Sequence, residues 1–180
     1  MLVARLHQER FRVGALSFPI YNSGSGRLIE RYLSRKILMP FRAICVLYSL
    51  NRWECVDEID RLLVENDFVV ASRYTGSSLA YGMAGGLDYE WLASLDKGLP
   101  SPDTVLVLDV PLRISLTRKI TGRDVHERNK EYLKRVRRHY LELGHKHSWR
   151  VVRGTGSVQR VQRRIWMSIQ DLILAHHKDP

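Results

Sequence analysis

The chain has 180 residues and a mass of 21.0 kDa, with 44% hydrophobic and 27% charged residues, 12 glycines, 6 prolines and 2 cysteines. That balance excludes a disordered, collagenous or disulfide-stapled protein and fits a single domain, residues 1–180, that buries about two thirds of its unfolded surface. Lys and Arg number 29 against 19 Asp and Glu, and the net charge of +10 points to an anionic partner, either a nucleic acid or a phosphorylated small molecule.

Residues 3–9 read as the tail of a helix, and the apolar run 12–18 closed by Pro19 reads as a buried strand. The polar turn Asn22-Ser23-Gly24-Ser25-Gly26 follows, then Leu28, Ile29, Tyr32 and Leu33 at helical spacing. One longer helix is predicted over about 41–66, with Val56, Ile59, Leu62 and Leu63 on one face. It carries Cys45 and Cys55, whose spacing is not CxxC, so two reduced, packed thiols in a cytoplasmic protein are expected. The continuous apolar runs 68–71 and 104–110 are the mark of parallel strands covered on both faces. Helices over 127–143 and 158–176 flank a short strand around 149–153, and the last helix bears the stripe Val158, Val161, Ile165, Ile169, Leu172, Ile173.

Helices alternating with buried strands predict an α/β layered fold with right-handed crossovers, in which ligands bind beyond the carboxyl ends of the strands. The basic clusters at 134–139 and 160–164 lie inside helical patterns and read as solvated faces, making nucleic acid the weaker partner. His145 and His147 form an H-x-H pair without a third ligand at useful spacing and read as loop residues; no metal ligands are predicted. The longest apolar runs fall well short of the roughly 20 residues that span a bilayer, and no basic n-region with an apolar h-region opens the sequence. Neither secretion nor membrane insertion is expected.

Chemistry concentrates where the strand at 68–71 runs into Ser72-Arg73-Tyr74-Thr75-Gly76-Ser77-Ser78-Leu79-Ala80-Tyr81-Gly82. An arginine at a strand tip offers a planar fork of donors suited to phosphate oxygens, although position alone leaves open a capping or salt-bridging role. This segment resembles the D-R-Y/H-x-x-S-x-x-A-Y/F segment of the thymidylate kinase family at every place but the first. Tyr48-Ser49-Leu50-Asn51-Arg52-Trp53-Glu54 is similar to that family's F-S-A-N-R-W-E, and Gly98-Leu99-Pro100-Ser101-Pro102-Asp103 to its G-L-P-x-P-D loop. Phe18-Pro19 with Ser25-Gly26-Arg27-Leu28-Ile29 resembles its F-P…S-x-T/S-G-x-L-I segment. Arg123-Asp124-Val125-His126-Glu127 with Arg135-Val136-Arg137 and Tyr140-Leu141-Glu142-Leu143 resembles its lid, about 122–128, and the following helix in the archaeal and eukaryotic style.

The resemblance implies a P-loop NTPase-like parallel sheet flanked by helices, ATP with Mg²⁺, thymidine monophosphate as acceptor and a homodimer built on helices. Tyr48 would carry the stacked thymine, Arg52 and Arg73 the 5′-phosphate, Ser77 the polar edge of the base and Tyr81 the sugar, with Tyr74 beside them. Arg123 on the lid would offset charge on the transferring phosphoryl group. By itself, Tyr48 at helical spacing reads equally as a core residue.

Departures accompany the matches. No G-x-x-x-x-G-K-[ST] motif occurs among the 180 residues; Gly24-Ser25-Gly26-Arg27 lacks the lysine. Aligned on Phe18-Pro19, the sequence starts along the helix that follows the family's P-loop, so the first, central strand is expected to be missing. Three outcomes are then open: the protein starts upstream of Met1, the flanking strands close up and pair directly, or the chain is not a stable enzyme. Ser72 stands where the family has an Asp, keeping a hydrogen bond without the charge, and Ile20-Tyr21 stand where relatives place an Arg. The functional readings are therefore a thymidylate kinase-like phosphotransferase, a non-catalytic nucleotide-binding protein that keeps the monophosphate pocket, and an accessory nucleic-acid binder.

Overall fold

The computed structural model describes residues 1–118 and 129–176. Helix α1 (Leu2–Gln8) leads into strand β1 (Val13–Ser17), and three helices follow: α2 (Gly24–Leu33), α3 (Phe41–Trp53) and α4 (Val56–Glu65). Strand β2 (Phe68–Ser72) returns parallel to β1, with Val13 opposite Phe68 and Ser17 opposite Ser72. Helices α5 (Thr75–Ala84) and α6 (Tyr89–Leu95) precede β3 (Leu106–Asp109); then come α7 (Leu112–Arg118), α8 (Lys130–Lys146) and β4 (Arg150–Arg153), which pairs parallel to β3. Helices α9 (Val158–Ser168) and α10 (Gln170–His176) complete the described chain.

Local chemistry sets the boundaries. Ser23, Asp88, Asn129 and Ser157 are N-caps whose side-chain oxygens accept from the backbone N–H of Gly26, Trp91, Tyr132 and Arg160, meeting donors that the first helical turn leaves unpaired. Asp67, just before β2, is gripped by Arg12, just before β1, through the Arg12 backbone N–H at 2.8 Å and its guanidinium at 2.6 and 3.1 Å. That grip aligns the start of the pair.

The single helix expected over 41–66 is two, because the chain turns at Glu54 and Cys55, where the Trp53 indole donates to the Leu95 carbonyl and Glu54 accepts from Ser25. The helix expected over 158–176 likewise breaks at Ile169, which is buried and caps α9. Helices α5, α6 and α7 had no clear periodic signal. The lid residues 122–128, with Arg123, lie outside the described residues.

Leu6, Phe11, Ile169 and Ile173 form a buried cluster against which Val13, Phe68 and Val70 of one sheet and Leu106 of the other pack. Phe11 meets Phe68 edge-on at 5.0 Å. The two sheets thus share a core, yet each has two strands, β1-β2 and β3-β4, and no ladder joins β2 to β3 among the described residues. The flanking strands do not close up and pair directly. The full two-faced cover expected for them is correspondingly partial: Ala71 and Ser72 are exposed, and Leu108 is 49% exposed.

Arg150 of β4 fastens α10 by paired contacts of 2.5 and 2.7 Å to the Asp171 carboxylate. Those hydrogen bonds are the main reason the Asp171 carboxyl sits at about 2 instead of 3.8. A folded-state value below the unfolded one contributes stability that is present above about pH 4 and lost as pH falls toward 2. Thermal melting from pH 6 to pH 2 is therefore expected to fall more steeply for the wild type than for Asp171→Asn. Parallel curves would rule out the contribution.

Candidate functional site

The segment 48–54 is the hub of the site, with nearly every side chain committed. Asn51 is fully buried; its carbonyl oxygen accepts from the Ile20 N–H at 2.8 Å, and its amide group faces the Ile20 carbonyl at 3.1 Å, Ser23 Oγ at 2.9 Å and Ser25 Oγ at 3.0 Å. Glu54 accepts from Ser25 Oγ at 2.6 Å and from the Ser25 N–H at 3.2 Å. The hydroxyls of Ser25 and then Ser23 hold its carboxyl below the usual range. These bonds fix the turn after β1 and the start of α2 against α3. The approach is so close that a Cβ on Gly26 would lie 1.9 Å from the Ile20 carbonyl oxygen.

On its other side the hub grips the end of α6. Arg52, 2% exposed, donates from Nε and Nη2 to Asp96 at 2.7–3.2 Å. Ser49 Oγ lies 2.7 Å from Asp96 Oδ1 and 2.8 Å from the Leu95 carbonyl, so its single proton serves one of the two at a time. Burying such a pair is sustained because both Asp96 oxygens and the Nε–Nη2 edge of Arg52 are met.

A cleft opens between α3, α5 and α8, walled by Phe18, Pro19, Phe41, Cys45, Tyr48, Arg52, Arg73, Ser77, Tyr81 and Tyr132 among others. Of the predicted site residues, Tyr48, Arg52, Arg73, Ser77 and Tyr81 come together here. Tyr74 stands behind the wall: its ring packs on Phe18 at 5.6 Å and its hydroxyl donates to the Pro100 carbonyl at 3.2 Å. Ser72 is exposed at the tip of β2.

Arg73 has φ of 59°, a left-handed conformation that costs a non-glycine residue roughly 1 kcal/mol or more and is held where a site requires it. Ser77 accepts from the Tyr140 hydroxyl at 2.8 Å, which leaves its own proton to donate. Tyr81 sits edge-on between Tyr132, 6.1 Å away, and Tyr140, 6.3 Å away, while the Tyr132 hydroxyl donates to the Tyr81 carbonyl at 2.9 Å. Burial pushes the Tyr140 phenol up to about 12, the Cys45 thiol up to about 11 and Tyr132 well above the usual range. All three are neutral at physiological pH, and the charges on the walls named above are the two arginines. An anion with a flat apolar body fits such a cleft. The reading from sequence missed Tyr132, Cys45 and Phe41; the Tyr132–Tyr140 spacing, two helical turns apart on α8, was the available signal.

The thymidylate kinase family model matches residues 1–165. The chain belongs to the thymidylate kinase family. It is 30% identical to the thymidylate kinase of Homo sapiens over 182 aligned residues, covering 99% of this chain and 85% of the relative. It is 31% identical to that of Dictyostelium discoideum over 157 residues, or 87% and 70% of the two chains. The thymidylate kinase structure from Candida albicans superposes with a TM-score of 0.79 at 26% identity, over 94% of this chain and 84% of that one. The fold is that of the P-loop NTPases, with parallel strands flanked by helices. Thymidylate kinases pass a phosphoryl group from ATP, with Mg²⁺, to thymidine monophosphate. Among the described residues no three His, Cys, Asp or Glu converge on a metal-sized site. The tip of β2 offers the Ser72 hydroxyl, and the Asp109 carboxylate at the end of β3 is held by Arg137 at 2.6 and 2.9 Å. These residues do not by themselves make a Mg²⁺ site. No helix in the described chain is long and apolar enough to cross a membrane.

Proposed function

We propose that this chain is a thymidylate kinase-like phosphotransferase that takes thymidine monophosphate into the cleft between α3, α5 and α8 for transfer of the ATP γ-phosphoryl group, in the supply of thymidine triphosphate. The observation that carries this reading is the placing of Arg73, in a strained conformation at the tip of β2, on one cleft with Tyr48, Ser77 and Tyr81. Arg73 meets the 5′-phosphate with its fork of donors, and Tyr48 gives the base a stacking face. Ser77, its oxygen occupied by Tyr140, donates to an acceptor on the base edge, and the sugar lies along Tyr81. Arg52 brings one nitrogen, Nη1, since Nε and Nη2 are engaged by Asp96. Orienting the acceptor phosphate and offsetting its charge supplies the acceptor half of an in-line displacement on the γ-phosphorus; the donor half is the positioning of the γ-phosphate and the offset of its charge.

A second reading, a binder of thymidine monophosphate without turnover, is favoured by Ser72, a neutral hydroxyl at the strand tip where the family segment has a carboxylate. Calorimetric titration with thymidine monophosphate and an assay of ADP release separate the two. Binding with turnover supports the phosphotransferase, binding without turnover supports the second reading, and no binding at millimolar nucleotide removes both. A cytoplasmic location accords with Cys45 and Cys55 being free thiols.

A homodimer is part of the proposal. Val46, Leu50 and Trp53 recur at i, i+4 and i+7 along α3 and are 45%, 47% and 36% exposed, an apolar stripe suited to a second copy. Leu50→Glu is expected to halve the mass measured by light scattering while leaving the melting temperature of the monomer little changed. A wild type that is already monomeric at tens of micromolar would sink the dimer.

A further inference from the structure

We propose that Asp96 is a positioning residue for the cleft: it locks the Arg52 guanidinium so that the one nitrogen left over, Nη1, is presented to the nucleotide in a single orientation. This rests on the reading of the cleft as a monophosphate site. Arg52 has five guanidinium donors and a flexible stem, and an arginine lining a cleft would ordinarily meet a ligand with whichever edge of its fork it chose. Here both oxygens of Asp96 are spent on it: Oδ1 accepts from Nε at 3.2 Å and Nη2 at 2.9 Å, and Oδ2 accepts from Nη2 at 2.7 Å. Nη1 has no hydrogen bond among the described residues.

The side chains of the pair are 3% and 9% exposed, so water is not a competing partner. Asp96 is itself held. It caps the C-terminus of α6, and Ser49, one turn before Arg52 on α3, places its hydroxyl 2.7 Å from Oδ1. The Trp53 indole donates to the neighbouring Leu95 carbonyl at 3.0 Å, which fastens the same end of α6 to α3. The carboxylate also offsets the Arg52 charge at contact distance, so Arg52 acts on the ligand as a directed donor far more than as a free cation. Asp96 does not line the cleft and works only through Arg52.

The test is a set of variants, Asp96→Asn, Asp96→Glu, Ser49→Ala, Arg52→Ala and the double variant Arg52→Ala/Asp96→Asn, titrated with thymidine monophosphate. Two-dimensional NMR of the arginine Nε–H groups is recorded without ligand. In the wild type the Arg52 Nε–H signal is expected to be slowly exchanging, and in Asp96→Asn it is expected to broaden or vanish. Affinity for thymidine monophosphate should fall about tenfold in Asp96→Asn, recover in part in Asp96→Glu, and fall less in Ser49→Ala. In the Arg52→Ala background, Asp96→Asn should cost nothing further, which a merely structural role would not produce.

If Asp96→Asn does not fold, Asp96→Glu and Ser49→Ala carry the comparison, and wild-type affinity with an unaltered Nε–H signal in both overturns the proposal. Tight binding by Asp96→Asn, or an equal loss from Asp96→Asn with and without Arg52, overturns the positioning role while leaving the site intact. Failure of the wild type to bind thymidine monophosphate overturns the site reading and this inference together, and the NMR signal then tells a locked Arg52 apart from an unfolded chain.

Discussion

Arg73→Ala is expected to weaken thymidine monophosphate binding by about a hundredfold or more, because two charge-assisted hydrogen bonds to a phosphate at roughly 1.5 kcal/mol each amount to that ratio. Arg73 is exposed, so the fold should survive the change. Its φ of 59° makes a sharper variant available. Glycine adopts that conformation without strain, so Arg73→Gly is expected to lose binding to the same extent while melting at or slightly above the wild-type temperature. A variant that binds normally would remove Arg73 from the site, and one that binds weakly because it has unfolded would betray itself in the melt. Arg73→Lys keeps the charge without the fork and should fall between the two.

Asn51→Leu is expected to be the most damaging single change to stability, at about 3 kcal/mol, or roughly 6–12 °C in Tm for a domain of this size. Leucine keeps the branched outline of asparagine, is somewhat larger, and satisfies none of its partners. The Ile20 N–H at 2.8 Å loses its acceptor, and the Ile20 carbonyl, Ser23 and Ser25 each lose a donor. Because Ile20 follows Pro19 in the wall of the cleft, binding should weaken with stability. Differential scanning calorimetry with and without thymidine monophosphate measures both. A loss below about 1 kcal/mol would mean that water replaces the amide and that the turn after β1 is not held by α3.

Much of this was legible from single residue types with one physical job. The parallel strands and the strand tip at Arg73 carry strong signals because a buried strand must be continuously apolar, whereas the segment 48–54 stood out only through its resemblance to the family's F-S-A-N-R-W-E. The break between α3 and α4 was not legible. Nothing in the periodicity of Val56 and Ile59 reveals that Trp53 and Glu54 are spoken for by Leu95 and Ser25, which come from elsewhere in the chain. Asp96 was invisible for the same reason: in sequence it is an ordinary acidic residue before a glycine-containing loop, and only the fold sets it against Arg52. Tyr132 and Tyr140 look like residues of a basic, solvated helix until α5 packs on their face of α8.

The two strand pairs are fastened to each other by interlocking side chains, Phe11 and Phe68 on one side with Leu106, Ile169 and Ile173 on the other, and not by a ladder. The cleft draws on both pairs, for Arg73 extends from β2 while Tyr132 stands on α8, the helix that also binds β3 through Arg137 and Asp109. The gap between those two walls is set by packed side chains and by the Tyr132 and Tyr140 hydroxyls that reach α5.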